Sequence, residues 1–480
     1  MLKSTFTPIF WVLTPKPKPP KLPSHAITNT FFTSSMPHVR HNAPVNPITP
    51  PPASSAYIHL PFCRKRCHYC DFPIVALGST SALIDDDPRV SNYIHWLCRE
   101  INATNVDQPD DANTITPLQT VYFGGGTPSL VPPRMVSSVL DTLRTKFGLR
   151  EDVEISMEMD PGTFDAEKMR GMVVLGVNRA FREELLRACG RAHGLKEVHE
   201  AIDVVKLCEV ENWSIDLIAS LPHQTSDMWE ESLRLAIEAQ PTHVSVYDLQ
   251  IEQGTKFGRL YSLGEFPMPS ETQSAEFYKM ASRMLSDANY NHYEISSYCK
   301  SGYECKHNFI YWKNKPFYGF GLCSASFVGG LRFSRPRKVN DYINFVQNLE
   351  NGFVNSSVEG HIHGKDTVMD VVMLSLRTAQ GIDLMSLQES FGSSIVLSLL
   401  EAYKTYFESG HVVCLDEYRR TVRIDDLNSF LNNTNAEGRV AYIRLSDPEG
   451  FLLSNELIAI AFGVIDSWKD MPPYQEAEAT

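Results

Sequence analysis

The sequence predicts an α/β fold: a mostly parallel sheet built from βα units, followed by a small α-rich C-terminal domain. Two observations carry the prediction. From Tyr57 to about Ser296, short apolar runs of strand length alternate with segments whose apolar residues recur at helical spacing. Beyond about Phe345 the alternation stops and helical periodicity takes over. Strands that alternate with helices imply βαβ units and parallel pairing, and such folds place ligands at the C-terminal ends of their strands.

Residues 1–55 differ in composition from the rest of the chain. They hold twelve of the thirty prolines, five Lys or Arg (Lys3, Lys16, Lys18, Lys21 and Arg40) and no Asp or Glu. Such a stretch buries too little apolar surface to fold. Its Ser, Thr and positive charge without acids read as a transit peptide for a chloroplast or mitochondrion. A disordered extension without an address, on a cytoplasmic protein, is the alternative.

From Tyr57 the elements run in order. Tyr57–Leu60 and Thr120–Phe123 are predicted strands and Pro133–Phe147 a helix. Glu154–Met159 is a strand, Asp165–Leu175 a helix, Trp213–Ala219 a strand and Ser226–Ala239 a helix. His243–Leu249, the helix Glu271–Asp287 and the strand His292–Ser296 complete the run. The helix ending near Leu175 is followed by only Gly176–Ala180 before a second helical stretch, Phe181–Cys189. That gap is too short for an ordinary strand of about 5–6 residues, so one strand is expected to be missing near 176–181. Further on, Asp366–Thr378, Leu384–Phe391, Ser394–Glu408 and Asn455–Trp468 read as helices, with Tyr418–Ile424 and Val440–Leu445 as paired short strands. The expected divisions are 1–55, a barrel over 56–300, an extension over 301–345 and a C-terminal domain over 346–480.

Bulk properties bound the function. A chain of 480 residues with 43% hydrophobic and 21% charged residues reads as soluble and globular, with two or three domains. Beyond residue 55 there are 39 Lys or Arg against 57 Asp or Glu, a net of −18. So acidic a body argues against nucleic acid, whose phosphates need Lys and Arg. No apolar run approaches the length of a transmembrane segment. Three of the ten cysteines crowd within eight positions and the rest are scattered, which suits a reducing compartment and one metal site.

Those three, Cys63, Cys67 and Cys70, form a C-x3-C-x2-C loop after a strand, with Arg64, Lys65 and Arg66 between the first two. Three thiolates can wrap one face of an iron–sulfur cube. Ordinary [4Fe–4S] clusters take four, so three leave one iron open to a small molecule. A zinc site completed by His59 or His68 is the alternative. Gly124-Gly125-Gly126-Thr127 closes the next strand, where glycine allows positive φ and close backbone approach. A plain tight turn would look the same. Glu158 ends the strand after that, in Ser156-Met-Glu-Met-Asp160-Pro-Gly, and could equally be a solvated acid.

The cysteine loop, the glycine motif and the strand-end Glu in this order resemble the radical S-adenosylmethionine (SAM) superfamily. The resemblance implies a partial (β/α)6 TIM-like barrel, a [4Fe–4S] cluster on Cys63, Cys67 and Cys70, and SAM chelated at the open iron. There an electron from the cluster cleaves SAM to methionine and a 5′-deoxyadenosyl radical. It further implies that Tyr57, Tyr69, Gly125, Gly126, Thr127, Glu158, Arg191 and Asp216 bind SAM. From the residues alone, Tyr57 could be an ordinary strand aromatic, Arg191 a helix cap and Asp216 a strand-end hydrogen-bonding group.

Tyr57-Ile-His-Leu-Pro-Phe, Ala188-Cys-Gly-Arg191-Ala-His193-Gly, Ile215-Asp216-Leu-Ile and Leu221-Pro222 narrow the resemblance. They point to the group that contains oxygen-independent coproporphyrinogen III dehydrogenase and the HemW-type haem chaperones. Two features favour the chaperones. Phe72 stands where the dehydrogenases carry a further Cys, and His307-Asn308-Phe309-Ile310-Tyr311-Trp312 matches the chaperones' H-N-x-x-Y-W motif. The resemblance then implies haem as cargo, His307, Tyr311 and Trp312 as haem-binding candidates, and delivery to membrane or respiratory haem proteins. It leaves room for a homodimer. A buried His307 satisfied by hydrogen bonds is the plain alternative. Oxidation of coproporphyrinogen III, or a structural cluster without SAM chemistry, are the competing functions.

The chain departs from the family at the short slot. Related sequences place there a strand ending in Gly-Val-Gln, whose Gln contacts SAM, whereas Arg179-Ala180 here runs straight into Phe181-Arg182. The departure reads as altered splicing or a faulty gene model, with a working protein that retains the strand. Ala219-Ser220 in place of a Tyr-Gly pair before Leu221-Pro222 is a milder difference.

Overall fold

A computed structural model describes residues 51–78, 87–106, 115–184, 194–353, 364–423 and 440–468. The 1–55 segment, apart from its last residues, lies outside them.

The strands of the main sheet are β1 (Ser55–Leu60), β2 (Leu118–Gly125), β3 (Leu149–Met159), β4 (Arg179–Glu184), β5 (Trp213–Ala219), β6 (His243–Asp248), β7 (Asn291–Glu294), β8 (Ser297–Cys299) and β9 (Tyr318–Phe320). Their spatial order is β9-β1-β2-β3-β4-β5-β6-β8-β7. Every pair from β9 to β6 is parallel, and β8 and β7 close the order antiparallel. Chain order follows spatial order from β1 to β6 because each crossover carries a helix to the outside of the sheet. These helices are α1 (Pro88–Ala103), α2 (Pro133–Phe147), α3 (Ala166–Val174), α4 (Leu195–Leu207) and α5 (Ser226–Ala239), with α6 (Glu271–Asp287) following β6. The outcome is the parallel α/β sheet that the alternation predicts, in the partial barrel that the resemblance implies.

Five of these six helices carry a start signal in a capping side chain or a first-turn proline. The Asp87, Asp165, Thr225 and Ser270 side chains accept backbone N–H groups at the starts of α1, α3, α5 and α6. Pro88 and Pro133 occupy first-turn positions, where a missing N–H costs nothing. The buried faces of α1 and α2, Val90, Ile94, Leu97 and Ile101 against Val136, Val139, Leu140 and Leu143, recur at three- and four-residue spacing.

The expectation of a missing strand is corrected. β4 fills the slot, pairing Ser156–Met159 of β3 with Arg179–Arg182 on one side and Trp213–Leu217 of β5 with Ala180–Glu184 on the other. A vacancy between two parallel strands would leave a row of backbone donors and acceptors without partners on each. Residues that propensity assigns to the start of a helix, Phe181 to Glu184, satisfy them instead. The remainder of that expected helix, through Cys189, lies outside the described residues.

The main sheet also outlasts residue 300. β9 pairs with β1 through Ala56–Ile58, so the stretch expected as an extension supplies a strand to the same sheet. It also supplies α7 (Lys306–Trp312), an antiparallel hairpin over Ala325–Val328 and Leu331–Ser334, and α8 (Val339–Glu350). Tyr318, Phe320, Tyr342 and Val346 join the barrel's apolar core.

A second core gathers α9 (Gly364–Leu376), α10 (Leu384–Phe391), α11 (Ser393–Glu408) and α12 (Ser454–Ser467) around Val372, Leu399, Leu445 and Ala461. The strand pair expected there is shifted. Tyr442–Leu445 pairs with Val412–Leu415 rather than with Tyr418–Ile424. The chain turns at Asp416–Arg420, with Arg419 at φ 60° and the Asp416 carboxylate accepting the Tyr418 and Arg420 N–H groups. A strand begun at Tyr418 would break that turn. Among the described residues no helix is long and apolar enough to cross a membrane.

Candidate SAM and iron–sulfur site

The cysteine loop leaves the C-terminal end of β1. A short parallel pair, Phe62–Cys63 with Val75–Ala76, pins its two ends together. Arg66 Nη1 donates to the carbonyls of Cys70 (3.1 Å) and Phe72 (2.7 Å), and Arg64 Nη2 to that of Gly162 (2.6 Å). The cations that the sequence places between the cysteines therefore also brace the loop. All three thiols are half-buried and line one cavity of about 390 Å³. Burial pushes the Cys63 thiol up to about 12, partly opposed by a hydrogen bond from Thr127 Oγ1 (3.6 Å), and raises Cys70 as well. Such thiols lose their protons to a bound metal rather than to water.

Among the described residues neither histidine of the zinc alternative joins the cysteines in a group that could hold one ion. His59 is buried beneath Gly125 and loses basicity there, to about 4. His68 Nε2 lies 3.1 Å from Lys256 Nζ. Among the described residues no three His, Cys, Asp or Glu side chains converge as the ligands of one ion must. The three half-buried thiols instead share one cavity without a fourth donor among the described residues, and that donor set suits a cluster with one open iron.

The glycine motif faces the cysteines across β1 and β2. Gly126 N donates to Leu60 O (2.9 Å) and Thr127 N to Phe62 O (2.6 Å). Gly125, at φ 113°, donates its N–H to Glu158 Oε2 (3.0 Å), and Tyr122 donates its hydroxyl to Oε1 (3.1 Å). A Cβ on Gly126 would stand 2.6 Å from Phe62 O and 2.8 Å from Pro61 C, both backbone atoms that cannot yield. Gly126→Ala is thus expected to displace the cysteine loop. The expected results are a loss of roughly 1–3 kcal/mol in denaturant unfolding and a fall in retained iron. Unchanged stability and iron would mean that the two segments are less tightly joined than these distances imply.

Gly125, Gly126, Thr127 and Glu158 line the same cavity as the cysteines, and so do Tyr57, Tyr69 and Asp216. Tyr57 stacks on Tyr122 with ring centroids 6.0 Å apart. Tyr69 leans on Phe257, whose N–H is taken by His68 O, so the segment after β6 supports the loop from outside. Asp216 accepts from Ser214 Oγ at 3.3 Å. Arg191, with the rest of its motif from Ala188 to His193, lies outside the described residues.

The H-N-x-x-Y-W motif forms α7. His307, Tyr311 and Trp312 all line the cavity. His307 Nδ1 is 2.7 Å from Thr120 Oγ1, two residues into β2, so α7 meets the strands near their N-terminal ends. His307 Nε2 is 2.7 Å from the Tyr311 hydroxyl, and the imidazole stacks on Tyr122. Burial lowers its pKa to about 3, leaving it neutral. Both ring nitrogens are engaged, so in this arrangement His307 has none to offer an iron. The alternative of a buried, hydrogen-bonded histidine describes it.

Tyr122 escapes a motif-based reading. It holds Glu158 and stacks on both Tyr57 and His307, linking the strand-end carboxylate to α7. Its signal in the sequence is alternation alone. It lies two residues before Gly124, hence on the same face of β2. Asp248, Glu294 and Arg377 also line the cavity. The two acids are raised by burial.

Residues 57–236 match the radical SAM superfamily. The chain is 36% identical over 423 residues to "Heme chaperone HemW" of Synechocystis sp., covering 86% of this chain and 97% of that one. It is 31% identical to "Heme chaperone HemW" of Bacillus subtilis, covering 71% of this chain and 88% of that one. Its fold is similar to coproporphyrinogen III oxidase (HemN) from Escherichia coli, with a TM-score of 0.64 at 16% identity, over 85% of this chain and 90% of that one. A superfamily match over the strands that carry the cysteines, the glycines and Glu158, with relatives matched over nearly their whole length, places the sequence: the chain belongs to the radical SAM superfamily and, within it, to the HemW family.

Proposed function

We propose that the chain is a haem chaperone: it carries a [4Fe–4S] cluster on Cys63, Cys67 and Cys70, binds SAM beside it, takes haem as cargo and passes it to haem-accepting proteins. One observation carries the reading. A single cavity joins the cysteine loop to the aromatic face of α7. The name that the relatives bear, heme chaperone, supports it. When bound, the cluster supplies the electron for reductive cleavage of SAM.

The protein's own residues do the holding. Glu158 offers a carboxylate beside the cysteine loop, and the Gly125–Thr127 backbone lines the same cavity without side chains to fill it. That placement suits the ammonium group of SAM's methionyl end. Tyr311 and Trp312 give a porphyrin an aromatic wall to stack on. Ligation of its iron by His307 requires Tyr311 to release Nε2.

The test is titration of the anaerobically reconstituted protein with haem, followed by mixing with an apo-haem protein. Saturable binding and transfer are expected, with no turnover of coproporphyrinogen III in the presence of SAM and reductant. Formation of protoporphyrinogen would overturn the chaperone reading in favour of the oxidase. The acid-free 1–55 segment supports import into an organelle, and a cyanobacterial relative favours the chloroplast. A fluorescent protein fused to residues 1–55 that stayed in the cytosol would sink that part.

A further inference from the structure

His307 is held at both ring nitrogens, and the hydrogens in that network can be counted. Ser55 on β1 and Thr120 on β2 lie opposite each other and are buried. The Thr120 hydroxyl donates to Ser55 Oγ at 3.0 Å. A hydroxyl has one hydrogen, so toward His307 Nδ1, 2.7 Å away, Thr120 Oγ1 is an acceptor. Nδ1 therefore carries the proton. Burial keeps the ring neutral, and a neutral imidazole has a single N–H. Nε2 is then the lone-pair nitrogen, and the Tyr311 hydroxyl, 2.7 Å from it, is the donor.

This is the tautomer that a metal ligand needs. A histidine that binds a metal through Nε2 gives its Nδ1–H to a neighbouring oxygen, which fixes the ring. Thr120 supplies that oxygen from a strand, and Tyr122 stacks on the ring face with centroids 5.2 Å apart. What stands on the lone pair is one neutral hydroxyl. It comes from the next turn of the same helix, and both side chains line the cavity. The Tyr311 ring is itself seated edge-on against Phe317, with centroids 4.6 Å apart.

We propose that Tyr311 is a latch on His307: its hydroxyl holds Nε2 until cargo arrives and then yields that position to the iron, while Thr120 is the positioning residue that keeps the ring in the iron-ready tautomer. The proposal rests on the haem reading above. The exchange replaces a hydrogen bond by a coordinate bond from the same lone pair. No proton moves, because the tyrosine keeps its own and Nδ1 keeps its bond to Thr120. The arrangement suits a carrier, which must also let go. When the iron leaves, Tyr311 donates to Nε2 again and offsets part of the lost ligation.

The experiment titrates the reconstituted full chain with haem and with metal-free protoporphyrin IX, which has the same disc and carboxylates but no iron. The variants are Tyr311→Phe, Thr120→Val and Thr120→Ser, with cluster iron and circular dichroism as fold controls. Tyr311→Phe keeps the ring and removes the competing bond. The ratio of haem to protoporphyrin affinity is expected to rise roughly fivefold, the worth of one neutral hydrogen bond, and haem transfer to an apo-haem protein is expected to slow. Thr120→Val leaves the Nδ1–H buried without its acceptor. It is expected to lower the same ratio roughly tenfold and to alter the Soret band, and Thr120→Ser to restore both. Haem binding with a ratio that Tyr311→Phe leaves unchanged or lowers would overturn the latch alone. A ratio unmoved by Thr120→Val would overturn the positioning role. Should the variants misfold, nitrogen-15 NMR of the histidine-labelled, haem-free chain decides, with the His307 signal identified by its loss in His307→Asn. A proton on Nδ1 is expected, and a proton on Nε2 would overturn the proposal. Binding of neither porphyrin by the unaltered chain would remove the haem reading and the proposal together.

Discussion

Replacing any one of Cys63, Cys67 and Cys70 by serine is expected to reduce retained cluster iron to background and to abolish cleavage of SAM. The loop has three thiolates for a cube that needs each of them, and it has no spare. Cys305, Cys299 and Cys414 are fully buried and do not line the cavity. Cys305 instead points its Sγ toward Glu154 Oε1, 3.9 Å away, beneath α7. Neither neighbouring histidine can stand in, since His59 is buried under Gly125 and His68 faces Lys256. The check is iron and sulfide analysis after anaerobic reconstitution, with Cys305→Ser and Cys414→Ser as controls that keep the cluster. Because metal binding stabilises the folded state, cluster loading should raise the melting temperature of the unaltered chain and of the controls, but not of the three loop variants. A loop variant that retained four irons would show that another ligand completes the site, and the three-cysteine assignment would fall.

The sequence is most informative where chemistry and period coincide. Cys63, Gly125 and Glu158 close three successive strands, and strand ends are where a parallel α/β sheet gathers its ligands. Their convergence on one cavity thus follows from alternation plus motif. Helices such as Pro133–Phe147 and Ser226–Ala239 are legible to the residue because a cap or proline starts them and an apolar face runs through them. β4 is not legible. What makes Arg179–Glu184 a strand is the backbone of β3 and β5 on either side, a tertiary demand that local propensity does not encode. The hairpin partner of Tyr442–Leu445 is misplaced for a related reason, since an Asp416 turn intervenes where the side-chain pattern still looks extended. His307 is visible as a motif, but one of its two hydrogen bonds depends on Thr120, 187 positions away in sequence. Arg377 carries no local signal, because its place in the cavity wall depends on a tertiary contact, its carbonyl accepting the Ile295 N–H just beyond β7.

The second large effect concerns the wall behind the cysteine loop. Glu100 on α1 is fully buried, and Arg335 beside it is nearly so. Arg335 Nε donates to Glu100 Oε1 at 2.7 Å, while Oε2 accepts from the Tyr342 hydroxyl (2.7 Å) and from Gly321 N (2.8 Å). One carboxylate therefore ties α1, the end of β9 and α8 together. Tyr93, on the same helix, carries the tie onward by donating to His59 O and accepting from Leu322 N. Arg335→Met leaves that carboxylate buried without its cation, a change that typically costs about 3–5 kcal/mol. The expected result is a melting temperature lower by roughly 5–15 °C. Glu100→Gln combined with Arg335→Met should recover part of the loss, since the glutamine oxygen can still accept from Tyr342 or Gly321 and no buried charge remains. If charge burial is the cause, the double variant must be more stable than Arg335→Met alone. If it is less stable, the contribution of Arg335 lies in its packing against Phe333 and Phe345 and its bond to Ser326 instead. Because β9 pairs with β1 immediately before the cysteine loop, the same variants also report on the site. A destabilised β9 edge should release iron at temperatures below the global transition, and simultaneous loss of both would mean that the barrel and its loop unfold as one unit.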